Sequence, residues 1–337
     1  AFRVSTGFRT RNVFFTDDGA KALLVTDDGV GVLAFDKLAQ DAIVPPIAVS
    51  ADPLDKPEDR EVLATPDGRR VVVRASGKQG VTIVDLTDGT LAEVALPSVP
   101  TDLDLLPDGS AALAVLRDTK EVAIVPIPGA AEDPTTIKVV STGNLVAGLA
   151  RLTDDGKTAV LYTSLAGVEE VATLDLATLK VKPVLLRKTV DYVVVPAGTR
   201  RAILVHRPAS TGATDETEQF VDLSHGYTLF DLDTGFTKLV VTPFAPSEIA
   251  VSQDPSKAFL LLPDPAGIDH AVQEADLGTF MTRDYNLGSY PQHVRVLESA
   301  GVAAITQQHP SGRITFIATQ GGTTKTVTGF ELNSAVQ

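Results

Sequence analysis

Short apolar runs recur along the whole chain, separated by turn residues, and no stretch keeps a helical period. Ala22-Leu23-Leu24-Val25, Val71-Val72-Val73, Ala112-Leu113-Ala114-Val115, Ala159-Val160-Leu161-Tyr162, Ala202-Ile203-Leu204-Val205 and Phe259-Leu260-Leu261-Leu262 are the clearest. Runs this short, bounded by Gly, Pro and Asp, predict strands. Their continuous apolar character, without polar alternation, predicts burial on both faces.

Each run follows a turn. The turns are Thr16-Asp17-Asp18-Gly19, Thr65-Pro66-Asp67-Gly68, Leu106-Pro107-Asp108-Gly109, Thr153-Asp154-Asp155-Gly156 and Val195-Pro196-Ala197-Gly198. Gln253-Asp254-Pro255-Ser256 and Glu298-Ser299-Ala300-Gly301 are degenerate copies, and the six intervals from Gly19 to Gly301 average 47 residues. Proline presets φ and glycine accepts φ > 0, so these are hairpin turns. A shorter apolar run precedes each turn, as in Val13-Phe14-Phe15.

A third run follows and often closes on Asp-Leu, as in Val81-Thr82-Ile83-Val84-Asp85-Leu86 and Tyr227-Thr228-Leu229-Phe230-Asp231-Leu232. A turn such as Asp233-Thr234-Gly235 and a more polar fourth run complete the unit. Four strands per repeat match one blade of a β-propeller.

The succession of Pro-Asp-Gly turn, apolar strands, Val-Asp-Leu and Thr-Asp-Gly resembles the bacterial YVTN and WD40-like seven-bladed β-propellers over nearly the whole chain. The Gly-His and Trp-Asp dipeptides of true WD40 repeats are missing, which favours the YVTN side. The resemblance implies an all-β, single-domain, seven-bladed propeller with four antiparallel strands per blade. The expected blades are 8–52, 53–99, 100–145, 146–189, 190–244, 245–289 and 290–337. Residues 1–7, with Val4-Ser5-Thr6-Gly7, are expected to close the ring against the last blade. Lys325 to Leu332 is a competing fourth strand there.

Two segments break the pattern. Arg207 to Gly226 is an insertion between the second and third strands of blade five, and such insertions often carry function. Asp52 to Asp59, charged and proline-containing, is expected to be a solvated linker. Counting back from each turn to the start of its inner strand gives Asn12, Glu61, Asp102, Leu149, Asp191, Glu248 and His293. In a propeller these positions ring the mouth of the central channel. Asn12, Glu61, Asp102, Asp191, Glu248 and His293 are the candidate ligand or partner site. Glu61, Asp102, Asp191 and Glu248 offer oxygen ligands for Ca²⁺ or another divalent cation. The same carboxylates would serve a basic group on a partner, or pair with neighbours such as Arg11, Arg60 and Arg151.

Composition narrows the function. The formal net charge is −14, which argues against nucleic acid and anionic lipid. There is no cysteine, so disulfides and thiolate chemistry are excluded. No apolar run approaches the ~20 residues of a membrane helix. The five histidines, His206, His225, His270, His293 and His309, fall at no metal-ligand spacing, and no phosphate-binding or nucleophile-elbow motif is present.

The expectation is therefore a monomeric, non-catalytic binding or scaffold propeller without a required cofactor. It would bind a protein or small ligand through one face and the 207–226 insertion. The alternative is a lactonase-like hydrolase with a cation at the channel mouth. Family resemblance and the missing initiator methionine favour an exported protein, periplasmic or a cell-surface lipoprotein.

Overall fold

In the computed structural model residues 3–330 are described, and almost all regular structure is strand. Among the described residues, seven antiparallel sheets follow one another, each in sequential strand order. The second is typical: Arg60–Ala64, Arg70–Ala75, Gly80–Asp85 and Leu91–Ala95. The third starts at Asp102–Leu105, the fourth at Leu149–Leu152, the fifth at Val190–Val194, the sixth at Ile249–Val251 and the seventh at Pro291–Leu297. These six sheets have four strands each.

The first sheet departs from the expected four strands and has three: Thr10–Phe15, Lys21–Thr26 and Gly29–Ala34. Its fourth place is held only by a bridge between Val30 and Ile47. The closing strand also departs from expectation. Val4–Ser5 pairs in parallel with Ala42–Ile43. The seventh sheet supplies its own outer strand, Thr324–Thr328, in register with Arg313–Ala318. The edge assigned to Val4–Ser5 is thus filled by local chain, which closes at far smaller loop entropy than a partner from the other terminus. Leu332, the predicted end of that strand, lies outside the described residues, as do Ala1 and Phe2.

The chain divides into two compact units. One holds residues up to Thr163 with Val171–Pro183, and the other holds Ser164–Glu170 with Val184 onward. In each, sheets pack face to face, and strand alternation explains the unbroken apolar runs. Val71 and Val73 enter the core shared with the first sheet, through Leu23, Val25 and Val49. Val72 points the other way, into the core shared with the third sheet, through Leu103, Ala112 and Leu116. In the second unit Ala258 and Leu260 join the fifth sheet's core while Phe259 and Leu261 join the seventh's. Side chains alternate with period two, so a strand between two sheets must be apolar at every position.

The repeated turn is a polar knot. The Thr65 hydroxyl donates to Asp67 Oδ1 at 2.6 Å and accepts from Arg70 N–H at 3.0 Å. Asp67 Oδ1 also accepts from Arg69 N–H, and Gly68 N–H donates to Thr65 O at 2.8 Å. Thr16 and Asp18 repeat this geometry, and hydrogen bonds from Thr16 and Ala20 hold the Asp18 carboxyl below its ordinary range. Successive turns also touch. Asp17 N–H donates to Pro66 O at 3.0 Å, and a Cβ on Gly68 would lie 2.5 Å from Thr16 Cγ2.

Gly19 and Gly68 share nearly the same positive φ, 64° and 63°, but a Cβ on Gly19 meets nothing. Gly19→Ala should therefore cost about 1 kcal/mol in urea unfolding, the backbone term alone. Gly68→Ala should cost about 2–3 kcal/mol, because the neighbouring turn must also shift. Equal losses would show that the turns do not pack on one another.

Candidate functional site

The 207–226 insertion is built around a helix, Glu216–Leu223. Asp215 caps it, its side chain accepting from Thr217 and Glu218 N–H at 2.9 and 3.1 Å. An eight-residue helix is too short to stand alone, so tertiary contacts must hold it. The strongest is Lys188, 1% exposed, in the link before the fifth sheet. Its ammonium donates to Val221 O and to Asp222 O, the latter at 3.0 Å. A cation on the last carbonyls of a helix meets both the hydrogen-bond deficit and the dipole there.

Asp222, also buried, accepts from Thr211 N–H and its hydroxyl at 3.0 and 2.5 Å, tying the incoming limb to the helix. Arg187 pairs with Glu218. Burial pushes the Lys188 ammonium below its ordinary range, opposed by Asp222 and Glu169. Burial also raises the Glu169 carboxyl, with help from Asp222 and Glu218.

His206, at the end of Arg201–His206, is 2% exposed. Its Nδ1 donates to Thr189 O at 3.1 Å, and its Nε2 accepts from the Thr228 hydroxyl at 2.7 Å. Burial lowers its pKa to about 4, so it is a neutral structural imidazole at pH 7. His225 opens the next strand; its Nδ1 is buried and has no hydrogen-bond partner among the described residues.

The upper surface of the helix is different. Phe220 is 62% and Leu223 65% exposed, one turn apart. Asp215 and Glu216, at the N-terminal end of the same helix, are exposed too. The helix is held firmly from below and presents an apolar pair with an acidic flank to solvent.

The predicted channel-mouth residues divide by unit. In the first, Asn12 is exposed, with Oδ1 accepting from Val13 N–H. Glu61 is bound by Arg74 Nε at 2.8 Å. Asp102 is buried and accepts from Ala150 N–H at 2.7 Å, and burial raises its pKa. Asp104, absent from the predicted set, lies two residues on. Its Oδ2 is buried without a partner among the described residues, and Arg151 reaches only Oδ1, at 3.7 Å. Burial and the Asp102 charge push its pKa to about 7.

In the second unit Glu248 accepts from Val294 N–H at 2.9 Å and pairs with Arg295, and His293 Nδ1 lies 3.6 Å away. Its pKa is lowered: burial raises it, but Arg295 and the Val294 N–H outweigh that. Asp191 is exposed at a bulge between Val190 and Tyr192. Among the described residues, no group of three or more His, Asp or Glu side chains is placed to hold a metal ion. Arginines occupy Glu61 and Glu248, two of the four expected cation ligands.

The 52–59 segment is largely exposed, as expected, and is tethered by ion pairs. Asp52 pairs with Lys78 at 3.1 Å, and the Asp55 side chain is 4% exposed against Arg60. No helix among the described residues is long and apolar enough to cross a membrane.

Comparison with known proteins bears on the fold only. The succession of antiparallel sheets is that of a β-propeller. No family model and no curated protein matches the chain. Among solved structures, the dihydro-heme d1 dehydrogenase NirN aligns with a TM-score of 0.54 at 14% identity. That alignment covers 95% of this chain and 66% of the NirN chain, just under two thirds. Hydrazine synthase of Kuenenia stuttgartiensis aligns at 0.48 and 14% identity, covering 76% of this chain and 75% of that one. The Cps50 (Swd1) β-propeller domain of Myceliophteria thermophila aligns at 0.47 and 12% identity, covering 92% and 96%. At such identities the likeness is one of architecture.

Proposed function

We propose that the chain is a seven-bladed, non-catalytic binding propeller that takes a protein partner on the insertion helix. The observation that carries this reading is the contrast within Glu216–Leu223. Lys188 and Asp222 are buried to hold the helix in place, yet Phe220 and Leu223 remain outside. An apolar pair on a preorganised element loses little further entropy on binding, and aromatic anchors dominate interface energetics. Asp215 and Glu216, together with the net charge of −14, select a partner whose apolar pocket is rimmed by basic residues.

Photo-crosslinking tests the location. A benzoylphenylalanine at position 220 should give a discrete adduct in extract of the native host. The same group at Leu54, 85% exposed in the 52–59 segment, should not. The adduct partner, identified by mass spectrometry and purified, should then bind the wild-type chain saturably. Equal adducts from both positions would refute the site.

A further inference from the structure

The first unit holds a cleft of about 400 Å³ that contains two of the predicted mouth residues, Asn12 and Glu61. Three arginines line it, Arg11, Arg60 and Arg74, against the single carboxylate Glu61. Each guanidinium is paired with a carboxylate, so the cleft wall is dense in charge yet carries no net positive charge.

The three guanidinium groups are held in one way. Arg11 Nε is bound by Asp27, Arg60 Nε by Asp55 and Arg74 Nε by Glu61. Arg60 Nη1 also donates to Asp27 O at 3.1 Å, and Arg74 Nη1 to Pro100 O at 3.3 Å. These contacts fix each guanidinium plane. They leave Nη2 of Arg60 and of Arg74 without an acceptor among the described residues, and Arg11 Nη2 has only Glu58 at 3.9 Å. The arginine side chains are 12–31% exposed, so the groups are partly desolvated yet reachable. Leu63 supplies apolar wall.

We propose that this cleft binds a small molecule through an oxyanion, a carboxylate or a phosphate, seated on the Nη2 groups of Arg60 and Arg74 with Arg11 alongside. The planar guanidinium fork matches either group, and prior anchoring through Nε removes much of the ordering cost. The carboxylates behind the arginines cancel most of the long-range attraction, so recognition rests on fork geometry and not on net charge. Apolar wall beside the arginines suits a ligand with a short hydrocarbon body. The proposal does not rest on the insertion-helix reading.

The test is titration of the full chain with sodium phosphate and with sodium succinate at matched ionic strength, following the arginine Nε–Hε resonances. Saturable shifts at Arg11, Arg60 and Arg74 are expected with at least one probe. Saturation by phosphate alone would point to a phosphate ester, and by succinate alone to an organic acid. Arg74→Lys should weaken binding about tenfold, because an ammonium cannot replace the fork. Arg11→Lys should act in the same direction, and a thermal melt of each variant checks that it is folded. Arg69→Gln removes a whole positive charge at a turn, where the side chain is 70% exposed, and should still leave affinity unchanged. Failure of both probes to saturate below ~50 mM, or an equal loss in Arg69→Gln, would overturn the proposal.

Discussion

Replacing Lys188 with methionine will melt the insertion helix and lower stability by about 3–5 kcal/mol. Methionine matches the length and fills the space, so the loss isolates the ammonium. Without it, Val221 O and Asp222 O lose their buried donor, and each unsatisfied carbonyl costs about 1–3 kcal/mol. The Asp222 carboxylate also loses its nearby cation. Eight residues cannot hold a helix unaided. Amide exchange across 216–224 should rise to the rate of an open loop, while the strands at Arg201–His206 and His225–Asp231 stay protected. A variant as stable as the wild type would mean that the buried ammonium's desolvation outweighs its bonds, and that packing alone holds the helix.

The second large effect is a pair of opposed pH dependences. His206 has a native pKa of about 4 against an ordinary 6.5, the result of burial. Between those values the unfolded chain binds a proton that the native chain refuses. Stability from this group is complete above pH 6.5 and falls as pH drops toward 4, by roughly 3 kcal/mol in all. Asp104 runs the other way. Its native pKa is about 7 against 3.8, so the native chain keeps a proton that the unfolded chain has lost. Its contribution is complete below pH 3.8 and falls as pH rises toward 7, by about 4 kcal/mol.

The two residues lie in different units, so the effects add where unfolding is a single transition. The carboxylates held below their ordinary range, such as Asp18 and Asp264, act only as pH falls below about 4. The two slopes oppose each other between about pH 4.5 and 6.5, so the wild-type profile, followed by urea unfolding, should be shallower than that of a variant lacking either group. Asp104→Asn should convert it to one that rises with pH, and raise stability at about pH 8 by about 3 kcal/mol. His206→Gln should convert it to one that falls. Unchanged slopes in both variants would contradict these protonation states.

The architecture was legible because its causes are local. A strand between two sheets must be apolar throughout, and Val71-Val72-Val73 is. A Thr-x-Asp-Gly turn needs its threonine, aspartate and glycine in place, and Thr65, Asp67 and Gly68 all form the knot. The pairing of Val4–Ser5 was not legible, since two short strands of similar character competed for one edge and pattern alone ranks neither.

The insertion helix left a readable trace. Asp215 with Glu218 three residues on, ahead of Phe220 and Val221, is an N-cap followed by an apolar face. Lys188 left none, because a lysine after a polar outer strand is a surface residue by default. Likewise Asp104 differs from other strand aspartates only in what folds over it. The acidic positions at the strand starts were picked by counting, but the arginines that bind them come from other strands, Arg74 from the next strand of the same sheet and Arg295 from the first strand of the following sheet. Register decides that pairing, as when Glu61 comes to lie opposite Arg74.

The most direct test of the account is the affinity of the crosslinked partner, once purified, for three forms of the chain: wild type, Phe220→Ala/Leu223→Ala, and Lys188→Met. The double variant removes the exposed apolar pair and leaves the anchor. Lys188→Met removes the anchor and leaves the pair. Both should weaken binding at least tenfold by calorimetry, about 1.4 kcal/mol or more. Wild-type affinity in either variant would contradict the claim that an anchored helix presents the binding surface.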